Sequence, residues 1–262
     1  MFLLFRWAFA ILPREQWQIL AVLPQHRAAS NQWHGLNLTY YGFITASAVT
    51  LAVGNMLFLL GAIHIPLSTS LWFVLSLMCL TVPASKIIAN VVEKKVFTFT
   101  IGGASFTGLV MAPVVAVVIN RMHHPSDALP ILPVLSALVI SFALGEGIGR
   151  LACISYGCCY GKPLSACAPI MQTLFKTLHF RFTGATKKIA YAGNLESIPV
   201  VPIQAITAII STTVYLIGMG LFLTGRVASG LFVSLLITQV WRAVSEPWRA
   251  DHRGHGSISM YQ

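Results

Sequence analysis

Long apolar runs separated by short polar breaks dominate the chain. Runs near residues 40–63, 69–90, 99–120, 129–156, 199–223 and 228–246 each come close to the roughly 20 apolar residues that one bilayer crossing needs. The pattern predicts an all-α, polytopic membrane helical bundle with about six to seven transmembrane helices. Residues 1–12 are also apolar, but the run is short, is interrupted by Arg6 and meets Pro13-Arg14-Glu15-Gln16, so it reads as an interfacial or partly inserted helix with no convincing signal-peptide cleavage site. The one sizeable polar stretch, 162–198, is expected to be a small extramembrane insertion within a single membrane domain, 1–262. Inside it, the amphipathic run 169–180 leads to a segment that reads as a hairpin turned by Gly184.

Composition sharpens this picture. Hydrophobic residues make up 56% of the chain and charged residues only 9%, against about a quarter in a soluble domain, and mean hydropathy is +0.76. The formal charge of +10 arises from 17 Lys and Arg against 7 Asp and Glu. In a membrane protein that excess suits anionic phospholipid headgroups. Neither a base-stacking motif nor a basic tail marks the chain for nucleic acid. Of five cysteines, Cys153, Cys158 and Cys159 fall within seven residues, while Cys79 and Cys167 stand apart, and the count fixes no redox compartment.

The polar residues of the spans share one membrane face. Tyr40, Tyr41 and Gly42 open the first span, Gly102-Gly-Ala-Ser-Phe-Thr-Gly108 opens the third, and Gln204 opens the fifth. Gly149, Arg150 and the run Cys158-Cys-Tyr-Gly-Lys-Pro163 close the fourth, and Arg242 with Glu246 closes the sixth. Because each crossing reverses the chain, starts of odd spans and ends of even spans lie on the side of the N-terminus.

Charged groups within spans are costly unless paired or hydrated, which makes them functional candidates. Glu146 and Arg150 are spaced i, i+4, with the acid first, and can pair on one helix face. A pair that merely orients its helix is the plainer alternative. Arg242 and Glu246 repeat the spacing in reverse order and are followed by Arg249; solvated charges at a helix end would look the same. Together, Arg150 and Arg242 offer two guanidinium forks on one face, the geometry that suits a phosphate. Glycines 145, 147, 149, 157 and 161 allow close approach of helices or lipid. Gly161, beside Lys162-Pro163, marks a helix end whose amides could meet an anion.

The run Gly149-Arg150-Leu-Ala-Cys-Ile-Ser-Tyr-Gly157-Cys-Cys-Tyr-Gly161-Lys-Pro163 resembles, without a gap, the signature of the prolipoprotein diacylglyceryl transferase family. Tyr41-Gly42, Ser105-Phe-Thr-Gly-Leu109, Pro202-Ile-Gln204 and Arg242-Ala-Val-Ser-Glu246 followed by Arg249 and Asp251 are similar to further family stretches in the same order. The resemblance implies a multi-pass protein of the bacterial inner (plasma) membrane. It implies transfer of a diacylglyceryl group from phosphatidylglycerol to the thiol of a prolipoprotein cysteine, releasing glycerol phosphate, with no metal or organic cofactor. By the same resemblance, Arg150 and Arg242 hold the lipid phosphate, Tyr41 lines the site and Glu246 orients Arg242; Glu146, singled out by its own pairing within the fourth span, joins them in the candidate catalytic set. Gly149, Cys153, Gly157, Cys158, Tyr160, Gly161, Ser105, Thr107, Gly108, Gln204 and Arg249 then line the substrate site.

Three positions depart from the family pattern: Thr107 replaces its histidine, Cys153 its asparagine and Cys158 its glutamate. Threonine cannot act as imidazole does near neutral pH, so Glu146 is the candidate for proton transfer, with His34 and His252 as second choices. Family topology places the shared face outside the cytoplasm, although Arg14, Arg27, Lys94, Lys95, Lys187 and Lys188 also fall on it, against the positive-inside rule. The family's seventh span would begin where the sequence ends, at Ser259-Met-Tyr-Gln262. Two rival readings are a catalytically silent lipid-binding scaffold and a thiol site. For the latter, the 5 and 1 spacing of Cys153, Cys158 and Cys159 fits no standard zinc pattern and supplies no apparent fourth ligand. A channel or transporter is less favoured, since only the fourth span carries a charged pair near its middle.

Overall fold

The computed structural model describes residues 1–16, 18–27, 33–91, 101–122 and 128–250. In chain order the elements are α1 (Phe2–Ile11), β1 (Ile19–Arg27), β2 (Trp33–Thr39), α2 (Tyr40–Ala62), α3 (Leu67–Val91), α4 (Ile101–Met122), α5 (Ile131–Tyr156), α6 (Pro169–Leu174), α7 (Lys188–Tyr191), α8 (Ile203–Leu223) and α9 (Val227–Ser245). Among the described residues, six helices, α2, α3, α4, α5, α8 and α9, are long and apolar enough to cross a membrane. The fold is the expected all-α polytopic membrane architecture.

Spans end where the chain can no longer stay apolar or helical. At the start of α2, Thr39 Oγ1 accepts from the Gly42 amide at 3.0 Å, satisfying one of the amides that every helix N-terminus leaves open. Asn120 closes α4 by exchanging two bonds with Leu129, donating to its carbonyl at 3.0 Å and accepting from its amide at 2.6 Å.

The described residues cluster into two compact units. One comprises residues from 50–145 and 211–240, with a core in which Leu59 and Leu60 of α2, Phe73 of α3, Ala116 of α4 and Ile140 of α5 are almost fully enclosed. Polar groups inside it find partners: Asn55 donates to Ser141 Oγ at 2.9 Å, and Tyr215 donates to Asn55 Oδ1 at 3.3 Å. The large exposed apolar side chains on its helices, such as Trp72, Leu75 and Phe232, are what a lipid-facing surface requires.

The other unit comprises residues from 1–49, 146–210 and 241–250. Its core joins Leu12 of the N-terminal segment, Leu151 and Ile154 of α5, Phe182 and Ile189 of the insertion, and Ala208 of α8. The strands β1 and β2 pair antiparallel from Ile19↔Thr39 to Arg27↔Trp33, with irregularities at Ile19/Ala21 and Pro24/His26. The sequence pattern did not predict this ribbon, whose first strand is exposed throughout.

The insertion differs from the predicted hairpin. Phe180 and Pro163 each bridge to Val200, whereas 188–191 form a helical turn, with Gly184 at φ +120° before it. The reason is the burial of Ile189 and Lys187, which draws this segment onto the end of α5 instead of onto 179–183. The amphipathic run 169–180 is helical only over Pro169–Leu174.

Candidate functional site

The C-terminal turn of α5 organises the second of these units. Cys158 N donates to Cys153 O at 3.1 Å and Gly157 N to Ile154 O at 3.2 Å, the paired bonds of a Schellman cap. That cap needs a left-handed residue, and Gly157 supplies it at φ +70°. A Cβ there would stand 3.0 Å from Lys187 Cβ. Cys159 is left-handed as well, at φ +56°, a conformation that an L residue seldom adopts. Two left-handed residues so close together reverse the chain and return residues 158 and 159 toward Cys153.

As a result, the sulfurs of Cys153, Cys158 and Cys159 all lie within 4.8 Å of one another. Cys153 is buried and the other two are half-buried. Hydrogen bonds from the Cys153 and Cys158 thiols, together with the Arg249 and Arg150 guanidiniums, hold the Cys159 thiol well below the usual thiol range. In the sequence alone, Cys159 stands out only as a member of the alternative thiol site.

Arg150, about two turns before Gly157, donates through a guanidinium nitrogen to Glu146 Oε1 at 2.6 Å, so the i, i+4 pair exists. Their side chains are 18% and 10% exposed, enough for the arginine to keep further donors for a ligand. Tyr41 stacks obliquely on Tyr156, with ring centroids 5.4 Å apart. The Tyr156 hydroxyl lies 2.8 Å from that of Tyr191. Gln204, 1% exposed, donates to the Cys158 carbonyl at 2.9 Å, while its Oε1 is buried with no partner among the described residues.

Residues 160–163 run between two other segments. Lys162 N donates to Trp248 O at 2.8 Å, Ala250 N to Tyr160 O at 3.1 Å, and Val201 N to Lys162 O at 3.0 Å. Gly161 bridges to Arg249, and a Cβ on it would fall 2.3 Å from Val201 O, so the glycine permits this close backbone approach. The expectation of open amides at this helix end is not met at Lys162, whose amide is engaged. The same pairing sets Arg249 beside the thiols. At the end of α9, Trp241 donates to Thr207 Oγ1 of α8 at 3.0 Å and meets Trp248 at a tilted angle, with ring centroids 6.1 Å apart, fixing the turn that carries Arg242 and Glu246.

One unit thus gathers Tyr41, Glu146, Gly149, Arg150, Cys153, Gly157, Cys158, Tyr160, Gly161, Gln204, Arg242, Glu246 and Arg249. Ser105, Thr107 and Gly108 belong to the other, within α4, where Ser105 Oγ donates to Gly102 O at 3.0 Å. His34 lies on β2, its backbone paired with His26. His252, Asp251, Lys94, Lys95 and the C-terminal 259–262 lie outside the described residues.

Sequence reasoning missed a buried ion pair. Lys187 Nζ donates to Glu15 Oε1 at 3.1 Å, Leu12 O at 3.0 Å and Ser155 O at 2.7 Å, and Ser155 Oγ donates to the same Glu15 oxygen at 2.8 Å. Burial pushes the Lys187 ammonium below its ordinary range, and Glu15 opposes that shift. No local spacing could have revealed partners so far apart in sequence.

No curated protein matches the chain. A family model described as prolipoprotein diacylglyceryl transferase matches residues 29–262, most of the sequence and all the residues gathered at the end of α5. The chain therefore belongs to the prolipoprotein diacylglyceryl transferase family.

Proposed function

We propose that this protein is a phospholipid-dependent transferase that moves the diacylglyceryl group of phosphatidylglycerol to a thiol acceptor in the bacterial inner membrane. Membership in a transferase family and six membrane-crossing helices support the class and the setting. The observation that carries the reading is the Arg150 guanidinium, held by Glu146 at the end of a membrane helix beside three thiols.

The reaction needs a nucleophilic sulfur and a stabilised phosphate leaving group. Arg150 and Arg242 are assigned to the phosphate, Glu146 and Glu246 to orienting them, and Tyr41 to the wall of the site. Gly149, Gly157, Tyr160, Gly161, Gln204 and Arg249 shape and line it. The acceptor is the thiol of a lipoprotein cysteine or another, unidentified acceptor. Glu146 already binds Arg150, so it is better suited to orientation than to taking the acceptor's proton.

The test incubates purified protein in detergent with labelled phosphatidylglycerol, with and without a lipobox peptide, and follows glycerol phosphate. Peptide-dependent release that Arg150→Ala abolishes is expected. Lipid binding without any release would replace this reading with that of a silent scaffold.

A further inference from the structure

We infer that Cys153, Cys158 and Cys159 form a three-thiolate site for a zinc ion whose fourth position is open to an external thiol. Three observations carry it. The three sulfurs already converge within 4.8 Å, and sulfurs bound about 2.3 Å from a tetrahedral zinc stand about 3.8 Å apart, so closure needs only small side-chain rotations. The convergence is built by backbone, because Gly157 and Cys159 both take left-handed conformations and the Schellman cap fixes Cys158 above Cys153. A non-glycine residue in that conformation persists where surrounding structure demands it, often at a functional site.

The surroundings fit the charge. Three thiolates and one divalent ion leave a net charge of −1, and Arg249 and Arg150 lie within electrostatic reach of Cys159. Gln204 fixes the Cys158 carbonyl from behind and leaves a buried acceptor, Oε1, without a partner among the described residues. The spacing of 5 and 1 looked unlike a zinc motif because regular motifs presume regular turns. Here the reversal at the cap does what a longer loop does elsewhere.

Three protein ligands and an exchangeable fourth are the arrangement of a reactive zinc site rather than a structural one. A thiol bound to zinc is deprotonated outright. The assignment of the fourth ligand rests on the transferase reading; the three-thiolate site does not. An acceptor thiol binding there releases its proton to solvent. Its sulfur lone pair then forms the C–S bond to the glyceryl carbon as the C–O bond to phosphate breaks, and those electrons leave on glycerol phosphate.

The test uses full-length protein purified in detergent, reduced and stripped with a chelator, then titrated with Zn²⁺ against a chromophoric competitor. One zinc per chain is expected. Cys153→Ser, Cys158→Ser and Cys159→Ser should each weaken binding by at least about tenfold, since even partners behind a ligand cost that much, while Cys79→Ser and Cys167→Ser change nothing. In the unaltered chain, where folding is not in question, zinc should protect Cys153, Cys158 and Cys159 from alkylation, as mapped by mass spectrometry. With Co²⁺ in place of zinc, a cysteine peptide should intensify the visible bands of tetrahedral cobalt, and its serine counterpart should not. Absence of stoichiometric binding, zinc protection of none of the three, or a disulfide joining two of them in the protein as isolated would overturn the site. Cobalt bands indifferent to the cysteine peptide would overturn the open fourth position. None of these readouts measures glycerol phosphate. Release without metal binding therefore removes this inference alone, and metal binding without release removes the transferase reading alone.

Discussion

The side-chain amide of Gln204, at the start of α8, donates 2.9 Å to the carbonyl of Cys158, just past the end of α5. A single bond thereby ties the first turn of one membrane helix to the last of another, at the residue where the chain reverses. Gln204→Leu keeps the volume and removes the donor, leaving the Cys158 carbonyl unpartnered at a cost of about 1–3 kcal/mol. Thermal unfolding in detergent should register that loss, and alkylation of Cys158 should become faster. Unchanged stability would mean that the bond exchanges freely with water.

The Glu146–Arg150 pair calls for a charge-conserving test. Arg150→Lys retains the positive charge but loses the planar fork, and Glu146→Gln retains the shape but loses the anion that orients it. If the fork holds phosphate, glycerol phosphate release should fall about a hundredfold in Arg150→Lys, a loss typical of removing one preorganised donor. Glu146→Gln should show a smaller loss. Equal activity in Arg150→Lys and the parent would show that charge alone suffices.

Gly161→Ala tests the close approach of the 160–163 segment to Val201. The added methyl would sit 2.3 Å from a backbone oxygen, which cannot rotate away. Forcing the segments apart should cost about 1–3 kcal/mol, as overpacking does, and should displace Arg249 through the Lys162 to Trp248 bond. A destabilised variant whose lipid affinity is nonetheless intact would detach Arg249 from phosphate binding.

Lys187 gives a pH signature. Its folded pKa is lowered chiefly by burial, so in the window between that value and the ordinary lysine range the unfolded chain carries a proton that the native chain lacks. Stability therefore rises with pH across this window and levels off above it. Melting temperatures measured from about pH 8 to about pH 11, around the ordinary lysine pKa, should show a rising contribution that Lys187→Met removes. That variant strands Glu15 and loses about 3–5 kcal/mol, while Glu15→Gln combined with Lys187→Met should recover much of it. An identical pH slope in parent and variant would contradict the assignment.

The spans are legible because hydrocarbon thickness sets their length: the apolar run 129–156 coincides with α5 at Ile131–Tyr156, and 40–63 with α2 at Tyr40–Ala62. The Glu146–Arg150 pair was legible for a similar reason, since helix geometry alone brings i and i+4 together. What escaped was everything set by distant segments. The ribbon of β1 and β2 has no buried face on its first strand to impose a two-residue rhythm, and Pro24 interrupts it. The residues of 179–192 alone predict a hairpin, yet Leu12, Glu15 and Ser155 decide its shape. The meeting of the thiols depends on two left-handed residues; glycine advertises one of them, but nothing in a cysteine announces the other.

The enclosure of Lys187 also constrains the order of events during biosynthesis. Its ammonium is capped by atoms from residues 12, 15 and 155 and is 0% exposed, so those segments cannot close around it until translation has passed residue 187. Until that moment Glu15 lacks its cationic partner, so the segment that follows α1, although made before residue 187, is locked in place only after it.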